Sequence, residues 1–220
     1  AGGKGTRLDP FTRILPKPLI PLGKDPIIKL IMDEFGKYSI MDFYLTLNDK
    51  AKMIKAYFHD IDLSYKINFI EEQKPLGTAG ALKLLQGNLK GSFFVSNCDI
   101  IIRSDYGKIL KFHKERDNAL TLVGSMQHYT IPYGVCEIEY GGDLISIREK
   151  PEYDYLNNTG MYIIEPDILS LIPNNTYFDM TNLIQAIQKK DLKIGVFPIS
   201  EKSWIDVGTW EEYKKIANKF

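Results

Sequence analysis

The chain has 220 residues, of which 44% are hydrophobic, and its 28 Lys plus Arg are balanced by 28 Asp plus Glu. That length holds one sizeable domain, and the apolar content excludes wholesale disorder. Charge balance argues against a general nucleic-acid or membrane-surface binder, and no stretch approaches the roughly 20 apolar residues of a membrane span.

The first residues, AlaGlyGlyLysGlyThrArgLeu (1–8), are already a glycine-rich turn. An open α/β sheet feeds such turns from a buried strand. A short apolar segment, with room for a whole domain, is therefore expected upstream of residue 1. Apolar spacing then predicts a helix over 27–38, a strand over 42–47, a helix over 49–60 and a strand over 65–71. A helix over 78–87, a strand over 92–97 and a helix over 104–117 follow. Strands alternating with helices of this length indicate βαβ units.

From 119 the texture changes, with strands expected over 119–126, 133–140, 143–150 and 160–165. A helix over 180–190 and a strand over 193–199 return the chain to α/β texture. One α/β domain over 1–220, with a β-rich half from about 119, fits this order. The two cysteines, Cys98 and Cys136, form no CxxC or Cys/His cluster, so a reducing, cytoplasmic setting is expected.

Gly2, Gly3 and Gly5 offer backbone N–H groups that can approach phosphate oxygens closely. The order of a P-loop fails, because Lys4 precedes Gly5, and a dinucleotide fingerprint fails at Leu8. A tight turn without ligand is the alternative. Lys4, Arg7, Arg13, Lys17 and Lys24 are opposed only by Asp9 before residue 25, and prolines at 10, 16, 18 and 21 stiffen their presentation. Arg13 and Lys24 read as solvated surface charges. Asp99 and Asp206 each stand at the end of an apolar strand segment. At matching ends of one sheet they could share a magnesium ion, which is commonly held by one or two carboxylates plus substrate phosphates. A lone Asp there is otherwise a turn former or helix cap. His59, His113 and His128 read as helix-surface or loop residues without a role.

Gly-Gly-x-Gly-Thr-Arg-Leu-x-Pro-x-Thr, followed by Pro-Lys-Pro-Leu-x-Pro, resembles the signature of the sugar-phosphate nucleotidyltransferases, and matching segments run from 1 to about 210. The chain looks most similar to hexose 1-phosphate guanylyltransferases. The resemblance implies a Rossmann-like mixed, mostly parallel sheet with helices on both faces. It implies a nucleotide-binding half over about 1–118 and a β-rich sugar-binding half over about 119–220. It places Gly2, Gly3, Gly5 and Thr6 against the triphosphate, Arg7 on the pyrophosphate leaving group, and Lys17 on the reacting phosphates. Asp99 and Asp206 match the positions that hold Mg2+. Lys24-Asp25-Pro26 departs from the family's Lys-Pro, so Lys24 takes no role.

GluGluGlnLysProLeuGlyThrAlaGly (71–80) resembles the family's base-reading loop, with Glu72, Gly77 and Thr78 as nucleotide contacts and glycines at 77 and 80 leaving room for a planar base. An ionised carboxylate only accepts hydrogen bonds, and guanine presents two adjacent donors. GTP is the expected nucleotide, with UTP, dTTP or CTP as alternatives. Gly134, Glu149, Lys150, Asn158 and Thr159 match the sugar-phosphate side, with Gly134 leaving room for the ring. The sugar is a hexose 1-phosphate, an amino sugar fitting the run of segments best. The resemblance leaves room for a homo-oligomer and for an upstream regulatory CBS-domain pair. A non-catalytic nucleotide-sugar sensor is the rival of another class, although a sensor needs no metal site.

Overall fold

The computed structural model describes residues 1–3, 6–61 and 63–217. A short helix α1 (Phe11–Ile14) and the two-residue strands β1 (Pro21–Leu22) and β2 (Asp25–Pro26) lead into helix α2 (Ile27–Gly36). Ile27, Ile28, Ile31, Met32 and Phe35 recur at helical spacing, and all are buried. Strand β3 (Asp42–Leu47), helix α3 (Ala51–His59) and strand β4 (Lys66–Glu71) form a crossover unit. Its strands pair in parallel from Asp42 opposite Lys66 to Leu47 opposite Glu71.

Helix α4 (Gly77–Gly80) passes directly into a 3-10 turn, Ala81–Leu85. Strands β5 (Phe93–Ser96) and β6 (Ile100–Ile102) precede helix α5 (Tyr106–Glu115), whose N-cap Asp105 accepts the Lys108 N–H at 3.0 Å. The second half brings β7 (Leu120–Thr130), β8 (Val135–Ile138), β9 (Leu144–Arg148) and β10 (Glu152–Ile164). Helix α6 (Met180–Gln188), β11 (Ile194–Ile199), β12 (Trp204–Asp206) and helix α7 (Trp210–Ala217) complete the order.

The largest sheet runs β11-β7-β10-β5, with β11 parallel to β7 and the other two neighbours antiparallel. The sheet is thus mixed, and among the described ladders parallel pairing belongs to β3–β4 and β7–β11. Side chains alternate between two cores, as the two-residue period of a strand requires. Phe94 and Ile163 join the cluster under α2, α5 and α7, whereas Phe93, Val95, Tyr162 and Ile164 join the one under α6 and the 3-10 turns. The result is a Rossmann-like α/β fold with helices on both faces.

Three expectations shift. The expected helix over 78–87 closes only one α-turn before tightening. The strands expected over 119–126 and 160–165 extend to Thr130 and back to Glu152, because β7 and β10 pair along residues whose mixed polar and aromatic character gives no apolar signal. His113, read as a surface residue, is fully buried.

The His113 ring sits in a fixed relay. Asn118 Nδ2 donates to Thr121 Oγ1 at 3.0 Å, so the Thr121 hydroxyl donates onward to His113 Nδ1 at 2.8 Å. His113 Nε2–H then donates to Glu165 Oε1 at 3.1 Å, which also accepts from Lys114 and Ser92. Burial holds the His113 pKa below its ordinary value of 6.5, against the opposing pull of Glu165. The unfolded chain therefore binds this proton first as pH falls, so stability is complete above about 6.5 and declines below it. Burial acts to raise the Glu165 pKa, yet hydrogen bonds from Lys114, Ser92 and His113 bring it below 4.5, so its share is lost only at lower pH. We expect the melting temperature to fall between pH 7 and pH 5, and His113→Gln to lower the curve and flatten that slope. An equally steep slope in the variant would show that His113 is not the titrating group.

Candidate active site

Asp99 lies between β5 and β6, and Asp206 ends β12. They come together at one end of the two-stranded β6–β12 sheet, the arrangement the sequence reading allowed for. There β12 runs antiparallel to β6 with Asp206 opposite Ile100, and the Val207 N–H donates to the Asp99 carbonyl at 2.8 Å. The carboxylates thereby face one small volume: a Cβ on Gly208 would lie 2.7 Å from Asp206 Oδ1 and 3.2 Å from Asp99 Oδ2. The Gly208 N–H donates to Asp206 Oδ1 at 2.6 Å.

Two cations attend the pair. Lys17 begins a 3-10 turn stiffened by Pro16 and Pro18, and its buried ammonium donates to Asp99 Oδ2. Arg7 is exposed on the turn Thr6–Leu8, which buried Leu8 anchors in the core. Burial pushes the Asp206 carboxyl above its usual range; the Gly208 N–H bond opposes this, the Asp99 charge adds to it, and Lys17 and Arg7 oppose it. Among the described residues no third His, Cys, Asp or Glu joins the two aspartates in a metal-holding group. Two carboxylates, one lifted by burial and by its neighbour, fit a hard divalent cation that takes its remaining ligands from phosphates and water.

The glycine-rich turn meets the base loop. A Cβ on Gly2 would lie 2.8 Å from Glu72 Oε1 and 3.1 Å from Asn48 Cβ, so a larger residue there would displace the Glu72 carboxylate, while Gly3 faces open space. Lys4, Gly5 and the side chain of Thr6 lie outside the described residues. Arg13 is held at the surface by Asp9, at 2.6 and 2.7 Å.

Glu72 is half-buried, and its Oε2 accepts the Leu76 N–H at 3.0 Å, closing the loop. Gly77, at φ +80°, owes its identity to packing: a Cβ would meet the Phe178 carbonyl oxygen at 2.7 Å. At Gly80 the Thr176 carbonyl oxygen, at 2.8 Å, does the same. The room at these glycines is thus taken, on the Cβ side, by the segment leading into α6. The Thr78 hydroxyl likewise donates to Asp179 Oδ1 at 3.2 Å and accepts the Met180 N–H at 2.9 Å.

On the sugar side, Gly134 and Glu149 meet at the base of the β8–β9 hairpin, with 3.1 Å between a Gly134 Cβ and Glu149 Oε2. Lys150 is exposed, at φ +44°, and its N–H donates to the Tyr133 carbonyl at 3.2 Å. Asn158 sits where β10 shifts register against β7, donating from Nδ2 to Tyr162 Oη at 2.7 Å and accepting the Gly160 N–H at 2.9 Å.

Thr159 is a correction. It is buried, and its hydroxyl donates to the Val123 carbonyl at 2.8 Å and accepts the Met161 N–H at 3.3 Å. The register shift between Asn158 and Tyr162 turns it inward, where it props the bulge. Thr159→Val should cost about 1–3 kcal/mol by stranding two buried backbone groups. Urea melts should record that loss with the sugar-phosphate KM unchanged. A raised KM with unchanged stability would restore a sugar contact.

Residues not anticipated also reach the site. A cleft of about 510 Å³ shares Asp206 and is lined by Gln127, Glu201, Lys202, Trp204 and Glu212. The exposed Asn97 lies against Gly160, whose Cβ would come within 2.5 Å of Asn97 Nδ2. Gln127 escaped notice because β7 outruns its apolar segment. Glu201 and Lys202 stand next to the Trp-Ile-Asp run, and that adjacency was the available signal.

The family model for Nucleotidyl transferase matches residues 1–220. The chain belongs to the nucleotidyl transferase family. As a family member it is 28% identical to a Synechocystis protein named UTP--glucose-1-phosphate uridylyltransferase, over 97% of this chain and 60% of that protein. It is 30% identical to the Campylobacter jejuni D-glycero-alpha-D-manno-heptose 1-phosphate guanylyltransferase, over 96% of this chain and 94% of that one. The crystal structure of HddC from Yersinia pseudotuberculosis complexed with GMP-PN superposes with a TM-score of 0.77 at 28% identity, covering 100% of this chain and 96% of HddC. The chain spans about 60% of the length of several curated relatives it matches. Among the described residues no helix is long and apolar enough to cross a membrane.

Proposed function

We propose that this nucleotidyl transferase joins the GMP part of GTP to a hexose 1-phosphate, releasing pyrophosphate and a GDP-sugar. One observation carries the reading: Asp99 and Asp206 meet beside Lys17 and Arg7. A sensor of nucleotide sugars has no use for that cluster. The nucleotide occupies the first half, to about residue 118, and the sugar the second. An enzyme fed by GTP and a sugar phosphate works in the cytoplasm.

Asp99 and Asp206 hold magnesium, which when bound neutralises phosphate charge. The sugar phosphate has a second pKa of about 6, so its dianion is already the nucleophile at neutral pH and no general base is needed. Its oxygen bonds to the α-phosphorus as the bond to the β-phosphate oxygen breaks. Lys17, one bond away from Asp99, steadies the reacting phosphates, and the exposed Arg7 takes charge on the departing pyrophosphate. Gly2 and Gly3 let the triphosphate approach the backbone. The sugar lies between Gly134, Glu149 and Lys150 on one side and the cleft beside Asp206 on the other.

Glu72 reads the base. Its Oε2 already takes the Leu76 N–H, but each carboxylate oxygen has a further lone pair, and guanine N1–H and N2–H form a matching donor pair. GTP should therefore be preferred over UTP and dTTP, and Glu72→Gln should weaken GTP use and relax that preference. Sites built on such hydrogen bonds reject the wrong partner by up to about 10⁴-fold, and partial exposure of Glu72 makes the ratio smaller. The check is kcat/KM for GTP, UTP, dTTP and CTP in parent and variant. A ratio unmoved by the substitution would leave Glu72 with its loop-closing bond alone, and a parent preferring UTP or dTTP would replace the guanylyl assignment.

A further inference from the structure

The loop 48–50, between β3 and α3, is tied to the base loop at one end and to α1 at the other. Asn48 Nδ2 donates to the Glu72 carbonyl at 3.0 Å, and the Glu72 N–H donates to the Leu47 carbonyl at 2.7 Å. Asn48 also lies against Gly2, where a Cβ would stand 3.1 Å from Asn48 Cβ. Two residues on, Lys50 Nζ donates to the Thr12 carbonyl at 2.5 Å. Thr12 is buried in α1, midway between Arg7 and Lys17. In a longer helix its carbonyl would accept the N–H of the residue four on, but that residue is Pro16, which has none. The Leu15 N–H is already taken by the Phe11 carbonyl at 2.9 Å. Lys50 thus supplies the donor that the local chain lacks.

Lys50 is a poor choice for its own backbone. It sits in the left-handed region, at φ +53° and ψ +30°, where glycine or asparagine is the ordinary occupant. It is also the N-cap of α3, where Ser, Thr, Asp or Asn would accept a free helix N–H, and its side chain makes no capping bond. Asparagine would meet both demands. Local rules broken in this way collect at functional sites, and here the long side chain reaching Thr12 is the compensation. We infer that Lys50 is a positioning residue for nucleotidyl transfer. This role rests on the proposed use of GTP. The loop acts as a spacer: Asn48 fixes the base-reading Glu72, while Lys50 fixes α1 and with it the segment 7–17 that carries Arg7 and Lys17. GTP is held at both ends, so the position of its α-phosphorus follows the spacing between them. A displacement of about 1 Å at the reacting atoms costs about a hundredfold in rate. Lys50 acts through α1 and touches neither substrate.

Lys50→Asn separates this role from a merely structural one, because asparagine suits the backbone yet is too short to reach Thr12. Its melting temperature should equal or exceed the parent's, while kcat for GDP-sugar formation falls by about ten- to a hundredfold. Lys50→Gly, which also relieves the left-handed backbone, should show the same split. Lys50→Arg keeps a donor of similar reach and should recover most of the parent rate. A parent-like kcat in Lys50→Asn overturns the inference, as does a Lys50→Arg variant as slow as Lys50→Asn. So does a kcat that tracks melting temperature across the three variants, since loss of structure alone gives that pattern. With an active parent, each of these results leaves the proposed function standing. A parent that forms no GDP-sugar removes that function, and the role of Lys50 with it.

Discussion

Asp99→Asn and Asp206→Asn should each abolish pyrophosphate release, by about 10³-fold or more, yet move stability in opposite directions. Each keeps the shape of the side chain and removes the charge that holds the divalent cation. Their neighbours differ. Asp99 is the partner of Lys17, and the two side chains are 15 and 9% exposed. Removing the carboxylate leaves a buried ammonium without its counter-charge, a loss of about 3 kcal/mol. Asp206 has no such partner, and its pKa is raised chiefly by burial. A carboxyl with a raised folded pKa contributes stability only while protonated, and that contribution is lost as pH rises through the folded value. Burial penalises the charged form of Asp206, a cost that Asn removes. Asp206→Asn should therefore melt at or above the parent temperature without added metal, while Asp99→Asn melts lower. Magnesium should raise the melting temperature of the parent and not of Asp206→Asn. Near-normal turnover by either variant would remove the metal assignment.

Arg7→Ala should lower kcat by about a hundredfold and leave the sugar-phosphate KM nearly unchanged. Arg7 is exposed, and its positive charge reaches Asp206. Charge on pyrophosphate grows only as the bond to the α-phosphorus breaks, so the lost interaction belongs to the transition state. Stability should not change, because the arginine is not part of a buried pair. A shift confined to sugar-phosphate KM would make Arg7 a ground-state binder and move it off the leaving group.

The parts of this account legible in the sequence are those governed by local pattern. Helix α2 and strands β3 and β4 follow from apolar period, and β3 occupies the expected residues, Asp42–Leu47. The opening turn stood out by its crowded glycines, and the two aspartates by matching the family's motif positions at apolar strand ends. Partnerships were not legible. No local rule pairs β12 with β6, separated by about a hundred residues, and that ladder is what joins Asp206 to Asp99. Thr159 shows the opposite failure: a polar residue in a motif invites a ligand, but its inward direction is set by the bulge between Asn158 and Tyr162. The motif assigns Gly77 and Thr78 to the nucleotide, yet the contacts that constrain them come from Phe178 and Asp179, a hundred residues on. His113 reads as surface on a helix of low apolar content, and only the Glu165 and Thr121 contacts explain its burial.

The central claim is transfer between two phosphorylated substrates, and its most direct measurement is product analysis of the parent protein. GTP, a panel of hexose 1-phosphates and magnesium are incubated with the chain, and pyrophosphate and nucleotide sugar are quantified together by mass spectrometry. The account predicts one GDP-sugar formed per pyrophosphate released, with neither product appearing when the sugar phosphate is left out. Pyrophosphate released without a sugar phosphate, or no GDP-sugar from any hexose 1-phosphate in the panel, would contradict it.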